Sequence, residues 1–222
     1  MIRIFGKDAE ASSEMKEGII MLDIQKLKKE KAYQAVVEIL HYLGEDVTRQ
    51  GLIDTPKRFL KSLKAQTEGY SKDAHKILEK FFEEVEGYDN LVLLQNIHFE
   101  STCEHHLAPI VGSAVVGYIP DRRVVGLSKL ARIVDVFSKR LQIQERLTAQ
   151  IGQTMDEVLK PQGVGVIIRA RHNCLCTRGA YKPNAFMTTL YFSGILEQDL
   201  LKKEEFYKSV SLPWGTGVHY SQ

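Results

Sequence analysis

At 222 residues the chain has room for one domain with an appendage, or for two small domains. A hydrophobic fraction of 44% and a charged fraction of 26% are ordinary for a soluble globular protein with a sizeable core. The net charge of +2 argues against nucleic acid as the main partner, so any polyanion must be met by a local cationic cluster.

Residues 1–23 show no clear period and read as a variable segment. Met1 to Glu17 mixes charges of both signs, and the apolar patch from Gly18 to Leu22 is short for a signal-peptide core. No stretch approaches the ~20 apolar residues of a membrane span. The expected compartment is therefore the cytoplasm, with no membrane partner. From Ile24 to Leu43 the residues Leu27, Ala32, Ala35, Val36, Ile39, Leu40 and Leu43 recur at helical spacing, and Gly44 is the stop. Asp54-Thr55-Pro56 reads as a helix start, with Phe59, Leu60 and Leu63 facing inward and Arg58 and Lys61 on the surface. A third helix is expected from Ser71 to Glu84.

The pattern changes at Tyr88, which sets residues 24–87 apart as a helical region and 88–222 as a mixed domain. Leu91 to Phe99 and Ile110 to Ile119 are rich in β-branched and aromatic residues and predict strands. Cys103-Glu104-His105-His106 lies between them, on a turn or strand end. Leu127 to Arg140 and Ile143 to Leu159 predict helices, with Gly126 or Ser128 near the first cap. Gly163 to His172 and Met187 to Phe192 predict strands, Glu197 to Val210 a helix, and the tail after Pro213 is irregular. The order β-β-α-α-β-β predicts an α+β fold with helices segregated to one face of an antiparallel sheet.

The three cysteines all lie near histidines, which in a reducing compartment favours metal or catalysis over disulfides. Cys103 and His106 can converge on one ion from a tight turn, and Cys174 can join from a neighbouring strand end. Three protein ligands with an open fourth position is the arrangement of catalytic Zn²⁺. Cys176 is the rival third ligand, since alternation along a strand would put it on the same face as Cys174. His105 and His172 stand beside the two halves, suited to proton transfer near neutral pH. Glu104 either orients a ligand or pairs with a nearby arginine. Ser128, Lys129 and Arg132 at a helix start, with Arg178, Arg58 and Lys61, form a candidate anion-binding set. In Gln144-Glu145, an amide beside a carboxylate could read the donor edge of a purine.

Taken together, these residues resemble the GTP cyclohydrolase I family. The resemblance rests on Ser101-Thr102-Cys103-Glu104-His105-His106-Leu107, the run from Gly126 to Val134, and Gln142-Ile143-Gln144-Glu145-Arg146-Leu147-Thr148. His172-Asn173-Cys174, Arg178-Gly179 and the run from Gly51 to Arg58 add to it, over about residues 30 to 210. The resemblance implies Zn²⁺ held by Cys103, His106 and Cys174, with Cys176 not a ligand. It implies a tunnelling fold assembled into a toroidal homodecamer with sites at subunit interfaces, where neighbours pool their cationic residues. Ser128, Lys129, Arg132, Arg178, Arg58 and Lys61 would contact the triphosphate of GTP, and Gln144 and Glu145 would hold guanine. His172 would protonate N7, His105 would assist around N9 and the ribose oxygen, and the product would be 7,8-dihydroneopterin triphosphate for a folate or tetrahydrobiopterin pathway. One departure stands out: Ala185, Met187 and Tyr191 occupy positions where relatives usually carry hydroxyls, so packing or turnover could differ. A related activity on another purine or pterin, and a non-enzymatic zinc-stabilised ring, are the competing readings.

Overall fold

The computed structural model of the chain describes residues 26–83 and 87–210. The variable segment and the tail after Pro213 lie outside those residues. The chain divides into two compact units, Met1–Lys64 and Ala65–Gln222.

In the first unit, residues 26–42 form helix α1, and the chain leaves it through Gly44 at φ +80, a left-handed turn that a side chain would strain. Helix α2 spans Thr55–Gln66, where the backbone N–H of Arg58 donates to Asp54 O and Pro56 sits in the first turn, free of any obligation to donate. The apolar stripe expected to face inward is largely exposed within this chain. Leu27, Ile39, Leu43 and Phe59 are all open, whereas Val36 and Pro56 are buried.

In the second unit a 3₁₀ turn at Glu68–Ser71 precedes helix α3 at Ala74–Leu78, which is much shorter than the expected Ser71 to Glu84. Asp73 is the reason for the late start: its extended backbone caps the helix and its carboxylate accepts from the N–H groups of His75 and Lys76. Phe81–Phe82 then forms strand β1 instead of helix, because it pairs antiparallel with Val124–Val125, strand β4. The main sheet holds β2 (Val92–Cys103), β3 (Pro109–Ile119), β5 (Leu141–Gln142), β6 (Gly163–His172) and β7 (Met187–Phe192) in the order β5-β2-β3-β6-β7. Its pairings are antiparallel except for the two-residue parallel match of β5 with β2. Helices α4 (Leu127–Ser138) and α5 (Gln144–Leu159) cross between the strand pairs, giving the expected β-β-α-α-β-β order.

Side chains alternate across the sheet, so each strand feeds two layers. Ala114, Val116, Val164, Val166 and Ile168 meet Ile133, Val134, Leu147, Ile151 and Met155 of α4 and α5 in the main core. Each fully buried aliphatic side chain there contributes ~1.5–3 kcal/mol of transfer free energy. The intervening residues Val115, Ile119 and Ile167 point the other way and pack with Leu196 and Phe206. Those two belong to helices α7 (Ile195–Gln198) and α8 (Leu200–Ser209), so the helices are not all on one face. The single helix expected from Glu197 to Val210 is divided at Asp199, whose carboxylate caps α8 by accepting from Leu201 and Lys202 N–H. No helix among the described residues is long and apolar enough to cross a membrane.

Tyr191 explains itself structurally. Its hydroxyl donates to Asp156 Oδ2 at 2.6 Å, and Ser193 Oγ donates to Asp156 Oδ1 at 2.8 Å, which ties β7 to α5. The ring lies against Gly152, where an added Cβ would come within 2.1 Å of it. The large ring on β7 is accommodated by a glycine on α5. Gly152→Ala is therefore expected to destabilise the fold by about 3 kcal/mol through overpacking, and Tyr191→Thr in the same chain should recover part of that loss in urea unfolding. Burial, aided by the Asp156 carboxylate, pushes the Tyr191 phenol up to about 12. A raised folded value means its contribution is intact below the unfolded value of 10.0 and is lost as pH rises toward about 12. Unfolding midpoints measured across that alkaline window should fall more gently in Tyr191→Phe than in the unsubstituted chain.

Candidate metal centre

Strand β2 ends at Cys103, and the next residues turn tightly into β3. The turn is closed by Cys103 N–H donating to Ala108 O at 2.8 Å and by Leu107 N–H donating to Cys103 O at 2.8 Å. Leu107 takes φ +51, a conformation uncommon for a residue with a branched side chain. On its other side the turn is anchored to the neighbouring segment by Glu104 N–H donating to Gln142 O at 3.1 Å. The Glu104 carboxylate pairs with Arg146, the second of the two expectations for it, and that guanidinium holds its carboxyl below the ordinary glutamate value. Arg146 also donates to Leu141 O and Gln142 Oε1, so one arginine braces the ligand turn against the start of α5.

The second half of the site follows β6. Residues Asn173–Cys176 form a single helical turn, α6, directly after His172. The register Ile110↔His172 sets this turn beside the start of β3, and hence beside the Cys103 turn. The ligand atoms of Cys103, His106 and Cys174 lie within 4.8 Å of one another. His106 Nδ1 is 3.8 Å from Cys103 Sγ, and a tetrahedral Zn²⁺ with ordinary bond lengths would hold such a pair about 3.6 Å apart. Two thiols and an imidazole at this spacing fit zinc in donor type as well as in distance. Burial pushes the Cys174 thiol up, with a further contribution from Cys103, so a pair of thiolates here calls for a neutralising cation.

Cys176 does not join them. Strand alternation would have aligned it with Cys174, but the residues are helical, and two positions along a helix are ~200° apart. Its buried Sγ instead donates to Pro183 O at 3.8 Å. His105 lies on the same turn with Nδ1 3.9 Å from Cys103 Sγ, and its side chain is exposed.

His172 is half-buried. Burial pulls its imidazole below the ordinary histidine value, and the nearby Glu145 carboxylate pulls in the opposite direction. Glu145 itself is exposed in the first turn of α5. Gln144, expected to hold guanine beside it, is only 1% exposed. Its amide nitrogen donates within the protein to Ile168 O, Met187 O and Thr189 Oγ1. The sequence reading gave no role to Thr148 and Thr189 behind it. The signal was the pair Gln142 and Gln144, two long polar side chains that are both buried and therefore must find internal partners.

Ser128, Lys129 and Arg132 lie in the first turns of α4, whose N-cap is Gly126 and whose first turn carries no acid. None of the three makes a side-chain hydrogen bond or ion pair among the described residues, and the helix dipole there favours an anion. Arg178 is exposed just beyond α6, close enough for its charge to favour the Cys174 thiolate. Arg58 and Lys61 belong to α2 in the other unit, where Arg58 pairs with Asp54 at 3.1 Å.

The two cysteines near the turn separate cleanly in a metal titration. Cys174→Ser is expected to weaken zinc by more than the 10–100-fold that loss of an outer partner causes, while Cys176→Ser should leave it unchanged, as read by competition with a chromophoric chelator. Zinc lost from Cys176→Ser and kept by Cys174→Ser would reverse the assignment.

The GTP cyclohydrolase I family profile matches residues 32–211. GTP cyclohydrolase 1 of Pelagibacter ubique (strain HTCC1062) is 51% identical over 191 residues, covering 86% of this chain and 95% of that protein. The protein of the same name from Maricaulis maris (strain MCS10) is 47% identical over 183 residues, covering 82% of this chain and 89% of its own. That from Brucella anthropi is 42% identical over 204 residues, covering 92% and 96%. Agreement over nearly the full length of each relative, on top of the clustered ligands, shows that the chain belongs to the GTP cyclohydrolase I family.

Proposed function

We propose that this chain is a zinc-dependent GTP cyclohydrolase I, opening the imidazole ring of GTP at C8, releasing formate and closing a new ring to give 7,8-dihydroneopterin triphosphate. The observation that carries the reading is the convergence of Cys103, His106 and Cys174 within 4.8 Å in a chain of this family. Zn²⁺, when bound by these three residues, supplies the Lewis acidity that makes water a nucleophile near neutral pH.

The protein's own groups then divide the work. Glu145, exposed at the start of α5, accepts from the N1–H and N2–H₂ donors of guanine. Ser128, Lys129 and Arg132, at the positive end of α4, and Arg178 bind the triphosphate. Arg58 and Lys61 add to this set, with neighbouring subunits of a toroidal homodecamer pooling their cations. Pooling is what lets a chain of net charge +2 hold a triphosphate. His172 delivers a proton to N7, which makes C8 electrophilic; burial, opposed in part by the Glu145 carboxylate, holds its imidazole below the ordinary histidine value, so the proton is readily given up. His105 moves protons at N9 and the ribose oxygen as the imidazole ring opens. A second hydrolysis releases formate, and an Amadori-type rearrangement of the ribose precedes closure onto the freed amines. The proposed setting is cytoplasmic, at the entry to a pterin pathway.

Mass spectrometry of products after incubating zinc-loaded protein with GTP tests the proposal directly. Formate and dihydroneopterin triphosphate should form, vanish on chelation, and return with added zinc. GTP left intact in both samples would overturn it.

A further inference from the structure

A neutral imidazole carries one hydrogen, and the nitrogen that lacks it is the one that can accept a proton. At His172 the surroundings decide which nitrogen that is. The ring's Nε2 lies 2.8 Å from Gln144 Oε1. The opposite corner of the same amide, Nε2, lies 3.1 Å from each of three oxygens, Ile168 O, Met187 O and Thr189 Oγ1. Two of these are backbone carbonyls, which accept and never donate, so that corner must be the NH₂ group.

The hydroxyls behind it agree. Thr148 Oγ1 donates to Gln144 O at 2.8 Å, which uses its one hydrogen. Thr189 then donates across the 2.6 Å contact to Thr148 Oγ1, leaving a lone pair on Thr189 Oγ1 for the Gln144 amide. Rotating the amide by half a turn would set its oxygen against two carbonyl oxygens in a buried site, where nothing compensates. The oxygen therefore faces His172, and an amide oxygen only accepts. His172 Nε2 must carry the hydrogen, and Nδ1 has no hydrogen-bond partner among the described residues.

We infer that Gln144 is a positioning residue that fixes His172 as the Nε2–H tautomer, leaving Nδ1 as the nitrogen through which it exchanges protons. What receives that proton rests on the function proposed above, but the tautomer does not. In that reaction the imidazolium gives up the hydrogen on Nδ1 to N7 of the purine, and neutral Nε2–H imidazole remains, still donating to Gln144. Nδ1 is restored by taking a proton from water or from a later step. The chemistry suits glutamine at this position. A carboxylate would set a second bare oxygen against Ile168 and Met187, and a shorter amide would not span from β6 and β7 to the ring.

The test is solid-state NMR of full-length, zinc-loaded protein labelled with ¹⁵N-histidine, sedimented at a pH above the histidine range. The His172 signals are identified by their loss in His172→Gln. The expected pattern is a protonated Nε2 and a bare Nδ1, and the opposite pattern in the unsubstituted chain would overturn the inference without need of any variant. Thr189→Val keeps both backbone acceptors and should keep the tautomer. Gln144→Met removes the acceptor and should give mixed tautomers, with kcat down at least ~10-fold and KM for GTP within ~2-fold. A raised KM with unchanged kcat in Gln144→Met would instead make this residue a guanine reader and overturn the positioning role. Intact GTP in the unsubstituted chain together with an Nε2–H spectrum would sink the proposed reaction and leave the tautomer standing.

Discussion

The register Ile110↔His172 between β3 and β6 is the constraint on which the site depends. It places the turn that follows β2 and the helical turn that follows β6 at the same end of one sheet. Ten residue pairs hold that register from Ile110↔His172 to Ile119↔Gly163. A slip by one residue would reverse the faces of every side chain on β6, turning Val164, Val166 and Ile168 away from α4 and α5 and setting Ile167 and Arg169 against those helices instead. The main core therefore enforces the same alignment that brings Cys174 to Cys103. The candidate ligand cluster and the hydrophobic packing draw on one geometric decision.

Around that alignment the sheet end is stiffened by a polar network that runs from the exposed Glu104–Arg146 pair to the buried amides of Gln142 and Gln144. Arg146 joins Glu104 to Leu141 and Gln142, and Gln142 in turn donates to Phe137 O and Gln150. Gln144 spans β6, β7 and His172, with Thr148 and Thr189 completing its partners. Such networks strengthen a site only when every member is satisfied, because an orphaned buried amide costs more than the bond contributes. Here each amide has its carbonyls, and the result is a ligand turn and a histidine with little freedom to reorient. At the far end of β7 the Tyr191, Asp156 and Ser193 contacts do a similar service for α5.

Exposed groups complete the picture by what they leave open. Lys129 and Arg132 at the α4 N-terminus, with the Ser128 hydroxyl, and Arg178 beyond α6 make no side-chain hydrogen bond or ion pair among the described residues. Glu145 adds an exposed carboxylate near His172. A buried, rigid interior and an unsatisfied polar rim together are what a site for a charged, donor-rich ligand requires.

Much of this was legible in the chain itself. Gly163 to His172 and Met187 to Phe192 announce their strands because β-branched runs bounded by turn residues are local signals, and the Cys103 and Cys174 motifs carry donors of a type that suits zinc. What the sequence left open turned on packing between distant segments. Strand alternation could not separate Cys174 from Cys176, because only the helical turn after β6 rotates one away from the other. The pairing of Phe81–Phe82 with Val124–Val125 overrode a helical pattern, since a pairing partner about forty positions away is invisible to local periodicity. The internal partners of the Gln144 amide come from β6 and β7, which no local pattern around Gln144 announces. Residue type and spacing determine which chemistry a chain can hold; which side chain faces the ligand and which is enclosed is decided by the register of the sheet, because that alone sets which polar atoms lose their water.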